Sequence, residues 1–344
     1  MDRHSRLDAA LRGQPVDRPP VWFMRQAGRY MAEYRAIREK VSFPELCNNA
    51  DLATEVTLQP VDRFGVDAAI VFSDILTIPE AMGMELVWES GHGPRLPNPL
   101  RSRADVDALV TPDVSEALPV VPATLKQFQA ARPEVPILGF AGAPFTLLCY
   151  MVEGSGSKNW LEVKKMLFGD PDTATHLLNL LADMVGDYLQ SQVEAGAAAV
   201  QLFDTWAGVL SVDDYDRFAL PAAQRALARV RGAPRIYFTR DSAPFLRRLA
   251  QTEADVIGLD WRVEMPHARE TLGRLPVQGN LDPVALYAPP EDIRARVHRI
   301  CAQAGPVGHV FNLGHGVLPT TPIEGVEAMI AAVKELEKDT AAEE

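Results

Sequence analysis

The sequence predicts a (β/α)8 TIM barrel, and three observations lead to that prediction. About eight short apolar segments recur along the chain, with helical segments between them. Hydrophobicity runs continuously through these segments instead of alternating, which is typical of parallel strands that are covered on both faces. The length of 344 residues is enough for one large barrel. We therefore expect a single α/β domain over residues 1–344, with a disordered tail at 338–344.

The predicted strands begin after the Pro19-Pro20 pair, and the second of them ends in a carboxylate, Asp74. An open, doubly wound sheet is the alternative arrangement, but no G-x-G-x-x-G sequence follows the first strand to support it. We expect the strands at 20–24, 67–74, 136–143, 198–204, 235–239, 255–260, 277–281 and 309–313.

The helices are predicted from apolar spacing and from prolines at their starts, such as Pro44 and Pro144. After the second strand, residues 84–88 and 93–97 predict a small hairpin, an excursion from the barrel. We expect helices at 43–64, 118–131, 144–153, 215–231 and 243–251, a long one that stops at Gly196, and a last one after Thr321.

Composition excludes several classes of protein. Apolar residues make up 47% and charged residues 23%, which is ordinary for a globular enzyme. The net charge of -12 argues against nucleic-acid binding and requires a local basic cluster for any anionic ligand. The polar start and the lack of a long apolar run predict neither a signal peptide nor a membrane span. Cys47, Cys149 and Cys301 are far apart, as expected for reduced thiols of a cytoplasmic protein.

Two arginines, Arg25 and Arg29, follow the first predicted strand closely. Two guanidiniums at a strand end can hold carboxylates or phosphates through paired hydrogen bonds. The alternative is a pair of surface salt bridges, which would contribute little. In a barrel the chemistry lies at the carboxyl ends of the strands. The other polar residues at those ends are Asp74, Asp204 with Thr205, Arg240 with Asp241, Asp260, Asn280 with Asp282, and Asn312 with His315.

Two other kinds of site stay open on the residues alone. The glycine-containing loops at 279–282 and 313–316 could form a phosphate site, which would favour a phosphosugar enzyme. A zinc site would need histidine with cysteines, but only His298 lies near a cysteine, Cys301, so we predict no metal. His315, between two glycines, could also be a satisfied structural residue.

Five segments of the chain resemble the uroporphyrinogen decarboxylase family. Residues 20–29, PVWFMRQAGR, are similar to its first signature, and residues 139–154, GFAGAPFTLLCYMVEG, to its second. Shorter matches are FSDIL at 72–76, FDT at 203–205 and NLGHG at 312–316, so the resemblance spans nearly the whole chain. Ala32 is a departure, since the family usually has proline there.

The resemblance implies a cofactor-independent lyase of porphyrin and haem biosynthesis. Members of the family remove the four acetate carboxyls of uroporphyrinogen III as CO2 and leave methyl groups, giving coproporphyrinogen III. Decarboxylases usually recruit a cofactor as electron sink, but here a protonated pyrrole ring serves instead. The resemblance also implies a homodimer in the cytoplasm, without nucleic-acid or membrane partners.

The resemblance further implies which residues form the site. Asp74 is expected to accept hydrogen bonds from the pyrrole N–H groups and to stabilise the cationic transition state; the alternative is a helix cap. Arg25 and Arg29 are expected to bind carboxylates and to assist proton transfer, and Tyr150 is the fourth expected catalytic residue. The expected substrate-binding residues are Arg25, Gln26, Ala27, Gly28, Arg29, Asp74, Tyr150, Thr205 and His315.

Three competing functions remain to be distinguished. Corrinoid or zinc-dependent methyltransferases share the scaffold but need a His-x-Cys…Cys set, which this sequence lacks. A non-catalytic tetrapyrrole carrier would bind the same ligand without releasing CO2. A phosphosugar aldolase or isomerase would need a reactive residue inside the barrel, and no lysine stands at a predicted strand end.

Overall fold

The computed structural model describes residues 1–89 and 93–340. Within this part of the chain, seven parallel strands form one curled sheet in the order β1-β4-β5-β6-β7-β8-β9, and β2 pairs with β3 in a separate hairpin. The strands are β1 (Ala69–Ile70), β2 (Val87–Glu89), β3 (Gly93–Arg95), β4 (Ile137–Gly142), β5 (Ala199–Asp204), β6 (Arg235–Thr239), β7 (Val256–Gly258), β8 (Val277–Gln278) and β9 (His309–Val310).

Helices follow the strands and cover the sheet; α11, for example, packs against both α9 and β4. None of the described helices is long and apolar enough to cross a membrane. The helices are α1 (Arg3–Leu11), α2 (Ala32–Arg38), α3 (Phe43–Cys47), α4 (Ala50–Phe64), α5 (Thr77–Ala81), α6 (Arg103–Asp107), α7 (Val114–Ala117), α8 (Val120–Ala131), α9 (Pro144–Glu153), α10 (Leu161–Gly169), α11 (Pro171–Glu194), α12 (Val212–Asp214), α13 (Leu220–Leu227), α14 (Leu246–Leu249), α15 (Met265–Leu272), α16 (Pro290–Ala304) and α17 (Ile323–Thr340).

Several predicted elements are confirmed, and others differ for local reasons. Helix α9 and strand β6 have the predicted bounds, and the hairpin after the second strand is present, with its tip at 90–92 outside the described residues. The single helix predicted at 43–64 is wrong, because the Asn49 side chain accepts hydrogen bonds from the backbone N–H of Asp51 and Leu52 and starts a new helix, α4. Residues 341–344 of the predicted tail also lie outside the described residues.

The predicted helix at 243–251 is mostly not α-helical. It consists of two 3₁₀ turns around the short α14. The predicted helix at 215–231 opens with a π-helical stretch, Tyr215–Ala219, and ends at Leu227.

The predicted first strand, residues 20–24, forms an isolated parallel bridge between Val21 and Phe311 and not a full strand. The Phe311 N–H donates to the Pro20 carbonyl at 2.9 Å, and the Asp67 N–H donates to the Val21 carbonyl at 2.8 Å. Phe311 follows β9 and Asp67 precedes β1, so this opening segment is hydrogen-bonded to both ends of the curled sheet.

A buried carboxylate secures the opening segment at its start. The Asp67 side chain accepts hydrogen bonds from Arg18 Nη1 at 2.6 Å, from Arg6 Nη1 at 3.1 Å and from the Val21 N–H at 2.8 Å. Asp67 is 1% exposed, and burial of a charge is tolerated only where it is paired in this way.

The core has two parts, one on each face of the sheet. Along the opening segment Trp22 and Met24 join the inner cluster, whereas Val21 and Phe23 join the larger one shared with the helices. This alternation follows from the period of two along an extended chain. The inner cluster also contains Leu7, Ala10, Leu11, Ala68, Ile70, Leu138, Ala199, Ile236, Phe238, Val256 and Val310.

Candidate active site

Five of the predicted site residues lie close enough to interact electrostatically. The positive charge of Arg25 acts on Asp74, Tyr150, Arg29 and His315. They come from four places in the chain: the turn after the opening segment, the turn after β1, helix α9 and the loop after β9. The structure therefore brings together residues at the carboxyl ends of the strands, as a parallel α/β sheet requires. We call the region between these five side chains the cleft.

Both predicted arginines are available to an anion. Among the described residues, neither the Arg25 nor the Arg29 guanidinium makes a hydrogen bond or an ion pair, and both residues are exposed. Arg25 has a left-handed backbone with φ 61°, and its side-chain methylenes lie against Gly316, where a Cβ would collide with them. Although the Arg25 side chain is exposed, the surrounding protein partly desolvates it, and this desolvation lowers the pKa of Arg25.

Asp74 carries an unsatisfied carboxylate oxygen. Its Oδ2 atom is buried and has no hydrogen-bond partner in the described structure. Desolvation by burial raises the pKa of Asp74 to about 6, although the backbone N–H groups of Leu76 and Ile75 lower it. The hydroxyl of Thr77 donates to the main-chain carbonyl of Asp74 at 3.1 Å.

Tyr150 lies on α9, which begins at Pro144 and ends at the left-handed Gly154. Its ring meets the Trp206 ring edge-on, with 6.2 Å between centroids. Burial raises the pKa of Tyr150, so the hydroxyl stays protonated. Thr205 directly follows β5, is half-buried, and its hydroxyl makes no hydrogen bond within the described part of the chain.

His315 is half-buried and uncharged at neutral pH. Burial, followed by the charges of Arg25 and Arg240, lowers the pKa of His315 to about 3. Its ring lies 6.1 Å from the Phe238 ring, and neither ring nitrogen has a hydrogen-bond partner among the described residues. A neutral imidazole in this position can still donate one hydrogen bond and accept another.

Gln26 supports the turn between the two arginines from inside. Its side chain is fully buried, and its amide contacts the Ala68 carbonyl at 3.5 Å and the Phe23 N–H at 3.4 Å. The Tyr30 hydroxyl donates to the Gln26 carbonyl at 2.6 Å. The neighbouring Ala27 and Gly28 are partly exposed.

Two other polar residues predicted at strand ends use their side chains in hydrogen bonds to the backbone. The Asn280 amide donates to two backbone carbonyls, and Asn312 Oδ1 accepts from the Met24 N–H at 3.1 Å. In the loops considered for phosphate, the N–H of Gly279 donates to the Val310 carbonyl and that of Gly314 to the Leu281 carbonyl. These backbone donors are therefore not available to a phosphate.

The sequence did not reveal the polar network behind the cleft. Asp204 is fully buried, and its carboxylate accepts from Tyr237 Oη at 2.7 Å and from Thr146 Oγ1 at 2.8 Å. Burial raises the pKa of Asp204 to about 6. Thr146 Oγ1 in turn accepts from the Trp206 backbone N–H at 3.1 Å, so the network holds the loop that carries Thr205. Tyr237 lies inside a strand, where no sequence signal points to it.

The cysteines and possible metal ligands do not form a second centre. Cys47, Cys149 and Cys301 are free and buried. Within residues 1–89 and 93–340, no group of three His, Cys, Asp or Glu side chains is placed to hold a metal ion.

Solved structures with the same fold include a methyltransferase from Methanosarcina mazei, with a TM-score of 0.81 and 23% identity over 97% of this chain and 99% of that one. A B12-independent methionine synthase from Shewanella sp. W3-18-1 has a TM-score of 0.59 and 13% identity over 88% of this chain and 91% of that one. At such identities the likeness concerns the fold alone.

Fold and cleft together define a parallel α/β protein whose strand ends carry a carboxylate and two arginines that have no hydrogen-bond or ion-pair partner among the described residues. Residues 2–336 match the sequence model of the family described as Uroporphyrinogen decarboxylase (URO-D). The uroporphyrinogen decarboxylase of Myxococcus xanthus is 49% identical over 335 residues, 96% of each chain. That of Geobacter metallireducens is 48% identical over 337 residues, 96% of this chain and 98% of its own. The chain belongs to the uroporphyrinogen decarboxylase family.

Proposed function

We propose that this enzyme converts uroporphyrinogen III to coproporphyrinogen III by removing four acetate carboxyl groups as CO2, a step of haem biosynthesis. Membership of the family supports this carboxy-lyase activity across the whole matched length. The observation that carries the proposal is the buried Asp74 Oδ2 in the same cluster as Arg25 and Arg29, three groups that have no hydrogen-bond or ion-pair partner in the part of the chain the structure describes.

The pyrrole ring of the substrate accepts the electron pair of the bond that breaks when CO2 leaves. Protonation of a pyrrole α-carbon creates an iminium-like cation beside the acetate. The bond to the carboxyl group then breaks, its electron pair neutralises that cation, and CO2 leaves. The exocyclic carbon takes up a proton to become methyl, and the α-carbon proton is lost, so each cycle consumes one proton. No external cofactor is required, because the pyrrole ring acts as the electron sink.

Asp74 is proposed to stabilise the cationic state. An ionised carboxylate accepts hydrogen bonds from pyrrole N–H groups, and its charge interacts more strongly with the cation than with the neutral ground state. With a pKa of about 6, Asp74 is mostly ionised at neutral pH, as this role requires. Its unsatisfied Oδ2 supports the proposal, since a buried acceptor without a partner calls for a ligand that donates.

The surrounding residues are proposed to bind the acidic arms. Arg25 and Arg29 would hold substrate carboxylates through paired hydrogen bonds, and one of them would assist the proton transfers. Protonated Tyr150, neutral His315 and the free hydroxyl of Thr205 would donate hydrogen bonds to carboxylates or to the departing group. Gln26, Ala27 and Gly28 would contribute through the backbone of the turn, since the Gln26 side chain is buried.

We also propose that the chain is one domain whose barrel is closed by the opening segment. Hydrogen bonds from Phe311 to Pro20 and from Asp67 to Val21 support this closure, because they connect that segment to both ends of the seven-stranded sheet. The three free, buried cysteines support a cytoplasmic enzyme, where thiols stay reduced. A homodimer remains our expectation from the family resemblance.

Anaerobic incubation with uroporphyrinogen III tests the activity. We expect CO2 release together with successive products that each carry one carboxyl group fewer, ending at coproporphyrinogen III. If binding of the macrocycle quenches the tryptophan fluorescence of the protein but no CO2 is released, the protein is a carrier and the proposal is wrong.

A further inference from the structure

A third arginine, Arg240, stands across the cleft from Arg25 and Arg29. It directly follows β6. In the order of the curled sheet β6 is the fourth strand from either end, and the opening segment is hydrogen-bonded to both ends. Three strands therefore separate the opening segment from β6 on one side (β1, β4 and β5), and three on the other side (β9, β8 and β7). The end of β6 lies opposite the end of the opening segment.

The Arg240 side chain points toward the residues of the cleft. Its guanidinium carbon lies 5.3 Å from the centre of the Trp206 ring, and that ring contacts Tyr150 edge-on. Its charge acts on His315, which also feels Arg25. Arg240 is thus connected to the cleft on two sides, through an aromatic wall and through a neutral imidazole.

A neighbouring carboxylate holds Arg240 in place and leaves its outer nitrogens unused. Arg240 Nε donates to Asp241 Oδ2 at 3.1 Å, while Asp241 Oδ1 is paired with Arg262 Nη1 at 2.8 Å. Asp241 has a left-handed backbone with φ 60°, and the Arg240–Asp241 backbone and side chain press against Gly208, where no Cβ would fit. Within the described part of the chain, neither Arg240 Nη group makes a hydrogen bond.

Arg240 and Arg262 place two guanidiniums around one carboxylate. The Asp241 carboxylate is shared between Arg240 and Arg262, and the nearby Asp260 carboxylate is buried and accepts the backbone N–H groups of Ser242 and Arg262. The net charge of the chain is -12, and a polyanion must therefore be attracted by such local clusters.

We propose that Arg240 is a further substrate-binding residue, which holds a carboxylate arm of the macrocycle on the side opposite Arg25 and Arg29. This inference rests on the proposed function, since it assigns one more contact to the same substrate. Arms project from a macrocycle in all directions, so cations on one side alone would leave the far arms facing water. Arg240 Nη groups, oriented by the Nε contact to Asp241 and by stacking on Trp206, supply the opposite contact.

The test is Arg240→Met, which removes the charge and keeps a side chain that can stack on Trp206. Arg217→Met is the matched control, because Arg217 also lies over an aromatic ring, Phe218, at 4.9 Å. We expect Arg240→Met to raise the KM for uroporphyrinogen about tenfold, as for loss of one charge-assisted hydrogen bond, with kcat changed much less. The dissociation constant of oxidised uroporphyrin, followed by tryptophan quenching, should rise equally and depend less on salt.

Wild-type CO2 release reports on the proposed function, whereas the difference between the two variants reports on Arg240. Unchanged KM, dissociation constant and salt dependence in Arg240→Met would overturn the inference while leaving the decarboxylase intact, and so would equal losses in Arg217→Met. If Arg240→Met melts far below the wild type, Arg240→Gln, which can still donate to Asp241, replaces it under the same criteria.

Discussion

Replacing Asp74 by asparagine should make the enzyme more stable and nearly inactive. The two side chains have almost the same shape, so the substitution removes a charge and little else. Burial has raised the pKa of Asp74 to about 6 from the ordinary 3.8, which means that the folded protein holds the ionised form at a cost. The same charge is the one proposed to stabilise the cationic transition state.

The effect on stability follows from linkage. Because the folded-state pKa exceeds the unfolded one, the folded state binds the proton more tightly, and ionisation disfavours folding. Below pH 3.8 this cost is absent; it grows as pH rises through the window to about 6 and is complete above it. A difference of roughly two units corresponds to about 3 kcal/mol at neutral pH, and partial access of water to Asp74 reduces it to about 2 kcal/mol. The Asp74→Asn variant escapes this cost, so its melting temperature should be higher by a few degrees.

The effect on rate has the opposite sign. A carboxylate about 4 Å from a developing cation contributes about 4 kcal/mol at an effective dielectric constant of about 20. Its loss should lower kcat by about 10²- to 10³-fold. Binding of oxidised uroporphyrin should change much less, because the arms are held by other residues. The wild type should also lose kcat/KM below pH ~6, by about tenfold per pH unit, as Asp74 becomes protonated.

Anaerobic turnover, porphyrin binding and thermal melting of both proteins at pH 7 and at pH 5 measure all three effects. The gain in melting temperature should shrink at pH 5, where the wild-type carboxyl is already largely protonated. Asp282→Asn is a suitable control, because in the described part of the chain the Asp282 carboxylate accepts a hydrogen bond from the backbone N–H of Val284 and caps a helix, a role that asparagine can also fill. Wild-type turnover in Asp74→Asn would refute the argument. So would a decline of kcat/KM below pH ~6 in Asp74→Asn as steep as that of the wild type, because asparagine does not titrate.

Three further predictions concern other parts of the enzyme. Arg29→Ala should raise the KM more for the octa-acid than for later, less acidic intermediates, since its guanidinium, which has no partner among the described residues, is proposed to bind carboxylates; equal changes for all substrates would contradict that role. Dialysis against a chelator, with no pyridoxal or thiamine cofactor added, should leave turnover unchanged, because the pyrrole is proposed to accept the electrons; activity restored only by added metal would show otherwise. Tyr237→Phe should lower the free energy of unfolding by about 1.5–3 kcal/mol in urea titrations, because it removes a hydrogen bond to the buried Asp204 carboxylate, and an unchanged midpoint would count against that bond.

Hydrophobic periodicity, together with proline and glycine at the boundaries, predicted the helices and strands whose ends are marked by such residues in the sequence. Helix α9 begins at Pro144 and ends at Gly154, and both residues are visible in the sequence as signals. The break between α3 and α4 was missed because asparagine in an apolar helical pattern resembles an ordinary polar position until its side chain is seen to cap a helix. The opening segment was predicted as a strand but forms one bridge, since its pairing depends on two distant stretches, near Asp67 and Phe311.

The site divides in the same way. Asp74, Arg25 and His315 were accessible from the sequence because they follow predicted strands and lie in segments resembling a known family. Their physical state was not accessible: the raised pKa of Asp74 and the lowered pKa of His315 arise from burial by residues far along the chain. Gln26 was expected to bind substrate, but its side chain is buried. The sequence did not show this, because hydrophobic periodicity does not tell which way the side chain of a turn residue faces.

Because Asp67 anchors the start of the opening segment, the number of residues in that segment determines where Arg25 lies. Val21 is fixed at the base by the Asp67 carboxylate, so the reach of Arg25 into the cleft is set by the residues between them. Those residues alternate between the two faces of the wall, with Trp22 and Met24 on one and Phe23 on the other. One inserted or deleted residue would exchange the two faces and displace the guanidinium from its place near Asp74. The number of residues in this short stretch therefore cannot change without losing the site.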